Sequence, residues 1–175
     1  MPWRWLVGVD FGAASGVVPD VGFVLSANAL LAPPHWPSFH AKGSSFLPTS
    51  RRIEGTARAE ISLVTGELGI CPLELRSPPF GVLVCLDGLL GQLSGRGDGF
   101  AESRIFTTLL GGIALEAITE LAVTRSLALT LSPSLVVPLT RARLAYDDAA
   151  GDRRTIFEVG PVGGSLALGI GVGSR

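Results

Sequence analysis

The sequence has no apolar run long enough to cross a membrane as a helix. A transmembrane helix needs about 20 predominantly apolar residues, and charged or strongly polar side chains interrupt every candidate stretch. The interrupting residues include Asp10, Asn28, Glu60, Asp87 and Glu116. Charge is scarce as well, because charged residues make up 17% of the chain against about 25% in a typical soluble domain. Transmembrane helices are therefore not expected.

Basic residues and cysteines are also few. Lys42 is the single lysine, the arginines are scattered and the net charge is −1. No basic stripe exists that could follow a phosphate backbone, so nucleic acid is not expected as a partner. The two cysteines form no CxxC motif or Cys/His cluster, which argues against a zinc site. The glycines form no phosphate-binding motif, and no cofactor is expected.

The composition leans toward a membrane even without long apolar runs. Mean hydropathy is +0.46 and glycine fills 23 positions. Only helices and closed barrels satisfy all backbone polar groups in lipid, which leaves a barrel or the buried core of a soluble domain. An exported barrel is expected to be made with a signal peptide, and Met1-Pro2-Trp3-Arg4-Trp5 shows neither the apolar stretch nor the cleavage site of one.

Apolar residues recur at every second position in eight segments, a pattern typical of barrel strands. The segments cover residues 3–12, 21–32, 36–46, 53–63, 80–91, 105–116, 127–137 and 166–173. A helix competes with a strand only over Ile113 to Val123, where good helix formers occur, and we favour the strand. Short connections at Pro33-Pro34 and Thr124-Arg125 contrast with long ones over 93–103 and 145–162.

This pattern predicts an all-β fold: one domain over 1–175, an antiparallel up-and-down barrel of about eight strands of the transmembrane type. Alternation of short and long connections is typical of bacterial outer-membrane barrels, so the lipid bilayer is the expected partner. The side chains predicted to point outward are Trp3, Trp5, Val7, Val9, Ile61, Leu63, Leu129, Leu131, Leu168 and Ile170. Those predicted to point inward are Arg4, Asp10, Arg58, Glu60, Ser132, Gly169 and Gly171.

Several short motifs resemble those of a family of uncharacterised small outer-membrane β-barrel proteins from Gram-negative bacteria. The motifs are Gly69-Ile70-Cys71-Pro72, Cys85, Gly95-Arg96-Gly97-Asp98-Gly99-Phe100, Leu135-Val136-Val137-Pro138-Leu139 and Gly160-Pro161-Val162-Gly163-Gly164. They lie between Gly69 and Arg175, and their order and spacing carry the resemblance. The resemblance implies an outer-membrane barrel and assigns no substrate or partner.

The two cysteines are candidates for a disulfide. A hairpin turn centred on Ser77-Pro78-Pro79 would place residues whose numbers sum to 156 opposite each other, which pairs Cys71 with Cys85. The oxidising periplasm favours the bond, and two buried free thiols are the alternative.

Charged residues predicted to face the lumen must be paired, because an unpaired buried charge is costly. The candidates for a polar network in the lumen are Asp10, Arg58, Glu60, Glu116, Arg141 and Arg143. A salt-bridged, plugged lumen is the favoured interpretation and an ion-lined path the alternative.

Two further motifs resemble functional sites but are not adopted. His35, Ser38 and His40 could suggest a serine hydrolase, but no orienting acid, oxyanion donor or GxSxG motif can be assigned. Arg96-Gly97-Asp98 matches an integrin-binding tripeptide in a predicted loop and is too short to support adhesion.

Four functions remain open at this point. The favoured one is a non-enzymatic outer-membrane barrel with a structural role or a binding role for its long loops. A narrow small-solute pore is the second, although eight strands leave an interior only about wide enough for side chains. A soluble lipocalin-like barrel and an outer-membrane lipid enzyme are the others.

Overall fold

The computed structural model describes residues 3–52, 58–98, 105–140, 143–147 and 153–174. Ten strands make up this part of the chain. They are β1 (Arg4–Ser15), β2 (Val21–Ala32), β3 (Ser38–Arg52), β4 (Arg58–Ser77), β5 (Phe80–Asp98), β6 (Ile105–Ala122), β7 (Leu127–Pro138), β8 (Arg143–Asp147), β9 (Arg153–Glu158) and β10 (Gly163–Ser174). Among the described residues, no helix is long and apolar enough to span a bilayer.

Eight of the strands close into an antiparallel barrel in the order β1-β10-β7-β6-β5-β4-β3-β2. Neighbours in the sequence are neighbours in the barrel, except that the β8–β9 hairpin is inserted between β7 and β10. The predicted up-and-down barrel of about eight strands is confirmed. The segment over which a helix competes with a strand continues as strand β6 up to Ala122.

Two prolines inside long strands coincide with irregularities in the pairing. The register between β3 and β4 shifts between Phe46 and Thr49, beside Pro48. The register between β4 and β5 shifts between Ile70 and Leu73, beside Pro72. Proline has no backbone N–H to donate to the ladder, so a strand accommodates it at a bulge.

The barrel wall is taller on one side. Strands β4, β5 and β6 have 20, 19 and 18 residues, whereas β1, β2, β7 and β10 have 12 each. The short connections 33–37, 78–79 and 123–126 lie at the opposite end. Short turns face the periplasm in outer-membrane barrels. The opposite end is therefore the outer end, and there the long strands extend beyond their shorter neighbours. We call residues 49–52, 58–63, 92–98 and 105–108 the outer extension.

A belt of exposed apolar side chains surrounds the barrel. It includes Val7, Leu25, Leu68, Leu86, Ile113, Leu131 and Ile170. Aromatic residues flank it: Trp5 and Trp36 lie toward the short turns, and Phe11 stacks on Phe23 toward the other end, with ring centroids 5.8 Å apart. A 12-residue strand is about 40 Å long and, tilted by about 45°, spans roughly the 30 Å of a hydrocarbon core. This is the surface that a transmembrane barrel turns to lipid.

The predicted facing is right for most strands and wrong for β4. Outside the barrel lie Trp3, Trp5, Val7, Val9, Leu129, Leu131, Leu168 and Ile170, and inside it lie Asp10 and Ser132. Ile61 and Leu63, predicted to face lipid, are each 1% exposed in the interior, and Glu60, predicted to face inward, is exposed. The side chain of Arg58 lies outside the described residues.

The reason is that the outer extension stands in water, not in lipid. There the wall follows the soluble pattern, with Ile61, Leu63 and Leu93 inside and Glu60, Gln92 and Thr107 outside. Within the belt the same strand presents Val64 and Leu68 to the outside. The apolar face of β4 therefore changes sides between Leu63 and Val64, where the surrounding medium changes.

Candidate functional site in the barrel interior

The interior of the barrel is filled by three layers of side chains. Toward the short turns lies an inner apolar layer of Leu6, Leu30, Cys71, Leu83, Cys85, Ile118 and Ala128. Toward the outside lies a larger outer apolar layer that includes Val17, Val24, Phe46, Ile61, Leu63, Leu93, Leu110 and Val159. A polar layer separates them: Asp10, Ser26, Asn28, His40, Lys42, Ser44, Thr65, Glu67, Asp87, Glu116 and Thr130.

An ion pair spans the lumen in the polar layer. Lys42 on β3 donates from Nζ to both carboxylate oxygens of Glu116 on β6, at 2.9 and 3.0 Å. Both side chains are buried. The two strands are not neighbours in the wall, since β4 and β5 lie between them. The pair therefore ties opposite sides of the barrel together across its interior.

His40 and Asp87 form a second contact beside the first. The Nδ1 atom of His40 on β3 lies 3.0 Å from Oδ1 of Asp87 on β5, and both side chains are almost fully buried. Gly69 faces Asp87 across the β4–β5 ladder, and a Cβ atom on Gly69 would collide with the backbone carbonyl oxygen of Leu86 and with the Asp87 carboxylate. Glycine at this position therefore gives the aspartate its room.

Asp10 is held by neutral donors. Its carboxylate accepts hydrogen bonds from Nδ2 of Asn28 and, at 2.9 Å, from Oγ1 of Thr130. Gly169 pairs with Asp10 across the β1–β10 ladder, and a Cβ atom there would strike the Asp10 carboxylate. The small inner face of β10 thus makes space for a buried carboxylate on β1.

The polar layer also contains buried atoms that no neighbour satisfies. Among the described residues, Nε2 of His40, Oδ2 of Asp87 and Oε2 of Glu67 have no hydrogen-bond partner. One ligand atom each from His40, Asp87 and Glu116 can be chosen so that all three lie within 4.8 Å of one another. The layer therefore has donor groups beyond those its internal bonds use.

A separate cluster of charged side chains lies at the short-turn end. Glu74 pairs with Arg4 and with Arg76, Arg76 lies 3.6 Å from Glu120, and Ser38 donates to Glu74 at 3.0 Å. The arginines and Glu74 are partly exposed, which suits the periplasmic mouth of the barrel. These charged side chains close the periplasmic mouth, and the inner apolar layer lies between them and the polar layer.

The predicted disulfide is present between Cys71 on β4 and Cys85 on β5. Both cysteines are buried in the inner apolar layer. The register differs from the predicted one next to the turn, where paired residue numbers sum to 157, and matches it only from Ile70 and Leu86 onward. The shift beside Pro72 lies between the two registers, and the disulfide lies at this shift. The bond joins the two strands beside the irregularity at Pro72.

The residues predicted for the lumen network lie in different parts of the structure. Asp10 and Glu116 lie in the polar layer. Glu60 lies on the outside of the outer extension instead, and Arg143 lies in the β8–β9 hairpin, 66% exposed and 3.0 Å from Glu158. Arg141 and the side chain of Arg58 fall outside the described residues.

Four further residues of the polar layer were not predicted for the network: His40, Lys42, Glu67 and Asp87. The signal for His40 and Lys42 was available, since Ser38, His40, Lys42 and Ser44 alternate along one face of β3. Ser38 and His40 have different partners, Glu74 and Asp87, which separates the groups considered for a hydrolase. Arg96, Gly97 and Asp98 lie in strand β5, not in the predicted loop.

The cavities inside the barrel are small. One of about 30 Å³ lies between the polar layer and the outer apolar layer, lined in part by Lys42, Thr65 and Glu67. Another of about 10 Å³ lies near Arg4 and Glu120. A cavity needs at least about 10–15 Å³ to hold a water molecule, so the first has room for about two or three waters and the second for at most one.

The fold resembles solved bacterial outer-membrane barrels. A major outer membrane protein from Thermus thermophilus superposes with a TM-score of 0.69 and 14% identity, covering 99% of this chain and 100% of that one. Neisserial surface protein A gives 0.52 and 12%, covering 97% and 96%. Ail from Yersinia pestis, solved with the heparin analogue sucrose octasulfate, gives 0.53 and 10%, covering 98% and 97%.

No protein-family model matches the chain, and no curated protein matches its sequence. At these identities the structural likeness shows the fold. Together with the apolar belt, it defines a membrane β-barrel of the outer-membrane type, and the outer-membrane location predicted from the sequence agrees with it.

Proposed function

We propose that the protein is a non-enzymatic outer-membrane barrel with a sealed lumen. Its role is structural or is binding by the surface at the outer end of the barrel. The observation that carries this proposal is the filling of the interior. Two apolar layers close the polar layer from both ends, and the interior cavities are about 30 and 10 Å³. A route for solutes would have to displace packed side chains of both layers.

The outer end offers the surface that such a role requires. The outer extension projects beyond the apolar belt, and the β8–β9 hairpin lies between β7 and β10 at the same end. Loops and projections on a rigid scaffold commonly carry binding functions. The turn residues Val17 and Val18 are buried in the outer apolar layer together with Val159. The outer end of the barrel is therefore packed with apolar side chains and can hold a binding surface in place.

A narrow small-solute pore is the second candidate, and the polar layer is the observation that favours it. The Lys42–Glu116 pair lies in the path that ions would take. Separating the two charges would leave each of them uncompensated in a dry interior, so opening by separation of this pair is unfavourable. The exposed apolar belt argues against the third candidate, a soluble lipocalin-like barrel.

Conductance across a planar lipid bilayer tests the proposal. The folded protein, inserted from detergent, should give no steady channel current, and its insertion is verified by co-flotation with liposomes and by heat-modifiable gel mobility. A reproducible single-channel conductance from the wild-type protein would contradict the sealed lumen and favour the pore.

A further inference from the structure

We propose that the polar layer binds one divalent first-row transition-metal cation through His40, Asp87 and Glu116. Their ligand atoms lie within 4.8 Å of one another. Such cations bind nitrogen and oxygen ligands at about 2.0–2.2 Å, so the ligand atoms of a tetrahedral site are about 3.4 Å apart. Small side-chain adjustments therefore suffice to bring the three groups onto a single ion.

Unsatisfied buried atoms belong to the same residues. His40 Nε2 and Asp87 Oδ2 have no hydrogen-bond partner among the described residues, and both side chains are almost completely buried. A buried polar atom without a partner is costly. A cation held by one ring nitrogen of His40 and by the Asp87 carboxylate would use ligand capacity that the internal hydrogen bonds leave free. The Glu74 cluster also has a buried oxygen without a partner, Oε1 of Glu120. That cluster has no imidazole ligand, and its arginines already balance its carboxylates.

The charges of the polar layer point the same way. Asp10, Glu67, Asp87 and Glu116 provide four carboxyl groups, and Lys42 provides the one ammonium group among the described buried residues. With ionised carboxyls and a neutral imidazole, the layer has an excess of three negative charges in an enclosed space. A divalent cation removes two of them, and Asp10 is already stabilised by Asn28 and Thr130.

The donor set selects the class of metal. One imidazole nitrogen with carboxylate oxygens suits Zn²⁺ and its first-row neighbours, whereas Ca²⁺ and Mg²⁺ prefer oxygen ligands alone. Glu116 can serve the metal while accepting from Lys42, because each carboxylate oxygen has more than one lone pair. The sequence argued against a Cys/His zinc site, and this site instead draws its ligands from three strands, β3, β5 and β6.

The surroundings predict slow exchange. The inner and outer apolar layers lie on either side of the polar layer, so an ion would enter as the barrel folds and would leave only when it opens. Bound metal should therefore resist a chelator in the folded protein and be released on unfolding. A surface site would give up its metal to the chelator at once.

The experiment is to refold the full chain in detergent with Zn²⁺, strip loose metal with a chelator, and measure metal content by mass spectrometry. We expect about one Zn²⁺ per folded barrel, released on unfolding, and no comparable retention of Mg²⁺ or Ca²⁺. If protonation alone balances the carboxyl groups, the folded wild-type protein will contain no zinc, and the proposal fails.

The two histidines supply a matched pair of variants. His40→Gln should reduce zinc content by about tenfold or more, whereas His35→Gln, in the exposed connection between β2 and β3, should leave it unchanged. Equal zinc in His40→Gln and wild type would overturn the assignment. Should His40→Gln not fold, Co²⁺ in the wild-type protein decides: visible d–d bands of a nitrogen and oxygen site support the proposal, and their absence overturns it.

Discussion

At the scale of single residues, the interior is held together by contacts between side chains on strands that are not adjacent in the barrel. Lys42 and Glu116 lie 74 positions apart in the sequence and meet across the lumen. Asp10 and Thr130 lie 120 positions apart. Each such contact leaves a charged or polar group stranded in a dry interior if its partner is removed.

Replacing Lys42 with Met should destabilise the barrel strongly. The substitution leaves Glu116 buried without its ammonium partner, which costs about 3–5 kcal/mol. Urea unfolding in lipid or detergent measures the change. The double variant Lys42→Met with Glu116→Leu should recover a large part of the loss, and a double variant as unstable as the sum of both single ones would contradict the pairing.

Alanine at Gly169 should also be destabilising, by about 1–3 kcal/mol, because its Cβ would collide with the Asp10 carboxylate. Gly43→Ala is the matched control, since a Cβ there meets nothing within 4 Å. Unfolding curves of the two variants under the same conditions give the comparison. Equal effects would contradict the close approach to Asp10 as the cause of the cost.

At the scale of the elements, the strands β4 and β5 are the longest and carry two devices that fix their pairing. The bulge beside Pro72 changes the register, and the disulfide joins Cys71 to Cys85. Below the bulge the pairing runs to the tight turn at Pro78–Pro79, and above it the pairing extends into the outer extension. The covalent bond therefore holds the hairpin where its ladder is interrupted.

Protein folded under oxidising conditions should have no reactive thiol after denaturation without reductant. Closing a loop of this size stabilises the fold by roughly 3 kcal/mol in the chain-entropy model. Thiol titration before and after reduction, followed by unfolding of the reduced protein, tests both statements. Two free thiols in the unreduced protein would refute the bond.

The belt predicts how a new charge is tolerated at different heights. Arginine at Leu131, which is exposed within the belt near the middle of β7, should cost about 2–4 kcal/mol near the bilayer midplane. Arginine at Thr107, exposed on the outer extension, should change stability by about 0.5 kcal/mol or less. Unfolding from lipid vesicles measures the change in unfolding free energy for both variants. Similar costs at both positions would contradict the assignment of the belt to the hydrocarbon core.

At the scale of the whole molecule, the barrel has two ends of different construction. The short-turn end closes with the Arg4, Glu74 and Arg76 cluster, and the other end has the outer extension and the β8–β9 hairpin. The orientation follows from the rule that outer-membrane barrels place short turns in the periplasm. An outer-surface role depends on this orientation.

Cysteine labelling on intact cells checks it. A membrane-impermeant maleimide should label Thr155→Cys, exposed on β9, and should not label Ser126→Cys, exposed in the connection before β7, until the outer membrane is permeabilised. The introduced cysteine supplies the reactive thiol in each variant, because the two native cysteines are bonded to each other. The reverse labelling pattern would show that the barrel has the opposite orientation.

Local patterns in the chain were sufficient to predict the eight barrel strands and the belt, because a period of two is local information. The β8–β9 hairpin was not predicted, since it lies largely in the predicted long connection 145–162. The predicted disulfide is present, but the hairpin register assumed for it holds only above the bulge beside Pro72. The side of β4 that faces inward was not predictable in this way, since Ile61 and Leu63 are apolar in either setting and the surrounding medium chooses their direction. Closure of the barrel was also needed to bring His40 to Asp87 and Lys42 to Glu116. Contacts across a lumen depend on the closure and register of all eight strands, which no local pattern contains.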